Sequence, residues 1–183
     1  MTLLKRRPIS PAPQRDADPD EQLEHDQLPH TASMQLLPVE ELVLDLVRCF
    51  CHGWSGRDIA AWNHAFQIAE EKLGPLDAPP LVARVFALMR SLLRESRSGI
   101  RFMPLGCGRI CQAEQVLMAA VQGARRGHVA PVRRAVSWFF ASRLPEETET
   151  YLALRALGAV CDRCQTGRPA DAEPEPRTGR VLH

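Results

Sequence analysis

Apolar residues recur every three or four positions through the middle of the chain, and each such run is bounded by proline or glycine. This period belongs to amphipathic helices. Pro38-Val39-Glu40-Glu41 reads as a helix entry, with proline and acids in the first turn, and Leu42, Leu46 and Cys49 continue one face until Gly53. Ser55 is expected to cap a second helix, with Asp58 three residues on and a stripe of Ile59, Trp62, Ala65, Phe66 and Ala69 that Gly74-Pro75 stops. Pro79-Pro80 opens a third, whose stripe from Leu81 to Leu93 is wide enough for the centre of a bundle and which Ser98-Gly99 ends.

Ile100 to Pro104 alternates apolar and basic residues, but a single strand has nothing to pair with, so an extended linker is expected. A fourth helix is predicted from about Gly108 to Gly123 or Arg126. A fifth follows with Pro131 in its first turn, and a sixth carries Leu154, Leu157 and Cys161. Five or six helices with short connections predict an all-α fold, a compact bundle or array.

Outside this region the pattern stops. Residues 1–35 hold five prolines, a run of acids and few large apolar groups, and residues 166–183 repeat that character. Both are expected to be disordered tails, leaving one helical domain over 36–165. Lys5, Arg6 and Arg7 are followed by prolines rather than an apolar run, and no stretch reaches the length of a membrane span, so a cytoplasmic protein is expected.

Charge changes the picture more than composition does. The net charge of +1 hides a sharp sorting. From Asp16 to Val47 there are nine acids and no lysine or arginine, whereas Leu81 to Arg143 holds eleven arginines against two acids, Glu95 and Glu114. A basic middle behind an acidic leader predicts an Arg-rich face for an acidic partner. Arg125, Arg126, Arg133 and Arg134, clustered around one helix junction, are the expected partner-binding residues. The same arginines would also suit phosphate, which makes nucleic-acid binding the first alternative. A bias of arginine over lysine also follows from a GC-rich genome, and no helix-turn-helix or other recognition motif accompanies these arginines.

The six cysteines fall in three pairs, 49/51, 107/111 and 161/164. Thiolates two to four residues apart are how structural zinc sites are built, so Cys107, Cys111, Cys161 and Cys164 form a candidate four-ligand set and a zinc or thiol sensor is the second alternative. Against it, the two pairs stand two helices apart, and Cys49 and Cys161 continue apolar faces, where a thiol packs as a small hydrophobe. The pair at 107 and 111 differs: it lies in a glycine-rich helix entry where amides and Arg109 are expected to lower a thiol pKa. No cofactor is otherwise expected.

Other chemistry is thin. Gly106-Cys107-Gly108 lacks the rest of a phosphate loop, His64 has no second histidine at metal spacing, and Glu70 and Glu71 diverge on their helix. Of Trp138, Phe139 and Phe140, adjacent on a helix, one is expected at the surface and the others in the core. No catalytic signature is assembled, so the protein is read as a non-enzyme.

The stretch from Phe102 through Pro104, Cys107, Cys111 and Glu114 to Ala124 resembles a pattern in small bacterial helical proteins of unknown function: a proline and a cysteine before a helix that carries an acid, then a Leu/Ala face. Those proteins usually have Asp-Glu where this chain has Ala113-Glu114. The resemblance implies an all-helical fold and points to Cys107 and Glu114; it implies no activity. The chain therefore reads as a non-catalytic interaction or regulatory protein.

Overall fold

The computed structural model describes residues 27–56, 58–95, 100–140 and 145–166. It is all-α, with five helices and no strand among the described residues: α1 (Pro38–Gly56), α2 (Ile59–Glu95), α3 (Gln112–Arg125), α4 (Val129–Phe140) and α5 (Glu149–Thr166). Short 3-10 turns cover Thr31–Met34 and Pro145–Glu147. Among the described residues no helix is long and apolar enough to cross a membrane.

α1 is buried on most of its circumference. Leu42, Val43, Leu44, Leu46, Val47, Cys49 and Phe50 are all inaccessible, so its apolar positions exceed a single stripe. It packs mainly on α2, which in turn packs on α5, and α3 sits between α4 and α5. The core joins α1 to Leu81, Val85, Leu88, Met89 and Leu92 of α2, then to Leu117 and Val121 of α3 and Leu154 and Leu157 of α5. Burying these side chains is the main stabilising contribution, roughly 1.5–3 kcal/mol for each large one.

Gly74 breaks α2 into two arms. Its φ of 79° and ψ of 172° interrupt the helix where the sequence predicts a stop. A residue with a Cβ rarely adopts such a φ, so glycine is required there. The second arm resumes at Pro75, four residues before the expected Pro79-Pro80 start.

Gly53 corrects another expectation. α1 runs through it to Gly56, and its missing side chain instead admits Trp62: a Cβ there would collide with the indole Nε1. The cap moves as well. The Ser55 hydroxyl donates back to the carbonyls of Cys51 and His52, while Asp58 accepts from the Ala60 amide at 2.9 Å and caps α2.

The linker runs from 100 to 111; its segment 100–104 forms neither helix nor strand, as expected, and a turn follows in which the Cys107 amide donates to the Pro104 carbonyl. α3 begins at Gln112, later than Gly108, with Cys111 as its N-cap. Described residues ahead of 36 also join the fold. Thr31 donates its amide to the Gly108 carbonyl and Ile110 donates to the Pro29 carbonyl, both at 2.9 Å, which ties the end of the leader to the linker. The tails at 1–26 and 167–183, and Ser98-Gly99, lie outside the described residues.

Candidate functional site

Two ion pairs lie inside the fold. Arg48, on the buried face of α1, donates Nε to Glu114 Oε1 at 2.8 Å and Nη2 to Oε2 at 3.1 Å. Its remaining donors reach the carbonyls of Cys107 and Arg109, each at 2.7 Å. Glu114, fully buried, also accepts the amides of Met103 and Cys111 at 3.0 and 2.9 Å. The bond from Cys111 makes Glu114 the third-residue arm of a capping box at the start of α3. One bidentate pair thus fixes α1, α3 and both ends of the linker.

A second buried carboxylate lies at the other end of α3. Glu40 accepts the Leu37 amide at 2.9 Å, Gln122 Nε2 at 3.2 Å and Arg125 Nε at 2.8 Å. Burial alone would raise its pKa, but these three donors and the Arg125 charge outweigh burial and hold the carboxyl below its ordinary value. The other acid of the basic middle, Glu95, accepts the amides of Glu149 and Thr150 and the Thr150 hydroxyl, and so caps α5. Glu114 and Glu95, the two acids of the basic middle, are therefore structural anchors.

This divides the four arginines expected on one face. Arg125 is turned inward, its side chain 13% exposed and paired with Glu40. Arg133 is exposed but pairs with Glu146 ahead of α5. Arg126 and Arg134 are exposed, and among the described residues no carboxylate pairs with either. Arg134 lines a groove of about 340 Å³ between α3 and α4 with Val116, Ala119, Pro131, Ala135 and Trp138. Trp138 is 48% exposed, while Phe139 and Phe140 pack against the core, as expected for three consecutive aromatics. An apolar floor with a guanidinium and an indole at its edge suits an extended segment carrying both carboxylates and apolar side chains.

The four thiols of the candidate zinc set are not brought together. Cys107 and Cys111 stand at the N-terminal end of α3, whereas Cys161 lies near Glu40 and Arg125 at its C-terminal end. Fourteen helical residues, about 20 Å, separate these ends. Among the described residues no group of three or more His, Cys, Asp or Glu is placed to hold a metal ion.

The expected activation of the 107/111 pair is also reversed at Cys111. Burial, reinforced by the Glu114 carboxylate, raises its pKa against the pull of the α3 amides. The Arg109 guanidinium is turned to the Leu28 carbonyl at 2.9 Å. Cys49 is pushed up to about 11 by burial and then by Asp45, and Cys161 to about 12 by burial first. Such thiols are neutral at physiological pH and poor nucleophiles.

Two further features were not anticipated. His52, Asp58 and His64 line a cleft of about 430 Å³ with Cys49, Pro104 and Leu105; His52 Nε2 stands 3.7 Å from Asp58 Oδ2. Phe50, Trp54, Trp62 and Phe86 form an aromatic cluster at the α1–α2 surface, with Trp54 stacked on Phe86 at 5.3 Å. Arg48 was missed too, although its sequence signal existed: it is the one arginine or lysine in α1, set among apolar residues. No family model, curated protein or solved structure matches the chain, so function rests on this geometry.

Proposed function

We propose that this is a non-catalytic interaction protein that presents the α3–α4 face to an acidic partner. The observation carrying the reading is that Arg134 and the half-exposed Trp138 border one apolar groove. Arg126 at the α3–α4 turn adds positive charge to this side, while Arg133 is held by Glu146. Arginine and tryptophan are the residues that most often dominate binding energy at interfaces. Complementary charge would speed encounter and set register, and the groove would supply affinity. Arg125 is assigned to the fold rather than to the partner. We keep the cytoplasm as the compartment, where thiols such as these stay reduced.

The test is co-purification of the full chain from its native cells through a terminal tag, with half of the lysate treated with nuclease. The reading predicts an acidic protein recovered equally from both halves and lost with Arg134→Glu. Recovery that collapses with nuclease would reassign the same arginines to phosphate.

A further inference from the structure

The acidic leader joins the fold at the N-terminal end of α3, the helix that forms one wall of the α3–α4 groove. Arg109 Nη1 donates to the Leu28 carbonyl and the Ile110 amide donates to the Pro29 carbonyl, so the leader is anchored immediately before Gln112, the first residue of α3. Val116 and Ala119 of the groove lie about 6–10 Å further along the α3 axis. The eleven residues 16–26 can span up to about 36 Å. That segment contains six acids, no lysine or arginine, and one large apolar residue, Leu23. Its composition is therefore the complement of a groove with an apolar floor and arginines at its edge.

We infer that residues 16–26 of this chain are an intramolecular occupant of the α3–α4 groove, set against Arg134, Arg126 and Trp138, so that an acidic partner must displace them. This deepens the proposed function and rests on its reading of that face. The short tether is what gives the segment an advantage: an attached ligand competes at an effective concentration in the millimolar range, without needing high intrinsic affinity. Because the attraction is between exposed charges, it weakens as salt is raised. The device sets a threshold, since weakly acidic segments are excluded and strongly acidic ones enter.

The test uses the full-length protein labelled with 5-fluorotryptophan, which gives Trp138 its own resonance beside Trp54 and Trp62. A synthetic peptide of residues 16–26 is titrated into the wild type and into a full-length variant in which the six acids, Asp16, Asp18, Asp20, Glu21, Glu24 and Asp26, are replaced by their amides. The expected result is that the amide variant binds the peptide about tenfold more tightly than the wild type at low salt, with Trp138 moving and Trp54 and Trp62 still. Equal or weaker binding by the amide variant overturns the leader's occupancy while leaving the acidic-partner reading in place. Failure of the peptide to move Trp138 in either protein overturns both.

Discussion

Arg48 and Arg134 are the same side chain on two helices of one small fold, yet their surroundings are opposite. Arg48 is sealed within α1, α3 and the linker, with Glu114 and two carbonyls as acceptors. Arg134 stands at the edge of a groove beside an exposed indole. The first arrangement takes two charges out of water and makes every neighbour depend on their pairing. The second leaves a solvated charge that contributes little to folding and keeps its attraction for something outside. A count of arginines treats the two alike; their acceptors separate them.

Breaking the inner pair has the largest expected effect. Arg48→Leu strands the Glu114 carboxylate and releases the Cys107 and Arg109 carbonyls, and a loss of about 3–5 kcal/mol is predicted in urea unfolding. Adding Glu114→Leu in the same chain removes the stranded charge and recovers part of that loss, so the two changes are strongly non-additive. Additive losses would mean that the pair does not act as a unit.

Glu40 sharpens the comparison through pH. Its folded pKa is lowered, so its contribution is present above the ordinary carboxylate range and is lost as pH falls through the lowered value. Glu40→Gln is expected to cost about 1–3 kcal/mol at neutral pH and to flatten the acid limb of the stability profile. Thermal melts between pH 7 and pH 3 check both. Cys161, close to the same pair, acts at the other extreme. Its folded pKa is raised from 9.0 to about 12, so its contribution is intact below 9.0 and declines as pH rises toward 12. Cys161→Ala is predicted to remove its own share of the alkaline decline and to leave that of Cys49, whose thiol is pushed up to about 11, at a smaller cost at neutral pH.

The outer arginines close the series with the smallest effect on folding. Arg126→Gln and Arg134→Gln are each expected to change unfolding free energy by less than about 0.5 kcal/mol. An Arg134→Gln loss comparable with that of Arg48→Leu would erase the distinction.

Much of the fold was legible because apolar spacing and proline placement are local signals. The break at Gly74, the linker after Ile100 and the Leu154–Leu157–Cys161 face of α5 all follow from them. Gly53 was misread because sequence shows a missing side chain but not the distant Trp62 that fills its place. The placement of charge was only half legible. Glu114 and Glu95 stood out as rare acids in a basic region, but their bonds to Arg48 and to the start of α5 link residues 66 and 54 positions apart. Likewise, nothing within Gly-Ala-Arg-Arg-Gly distinguishes Arg125 from Arg126. The distinction arises only when α3 packs beside Glu40.

The most direct test of an outward-facing acidic-partner surface is a binding titration with a glutamate-rich peptide between 50 and 300 mM salt (about 14 to 6 Å of screening length). Wild type, Arg134→Glu and a control, Arg84→Glu on the exposed face of α2, are compared. The account predicts wild-type binding that weakens steadily with salt, near-complete loss with Arg134→Glu and little change with Arg84→Glu. Equal loss in both variants, or undiminished binding by Arg134→Glu, would contradict it.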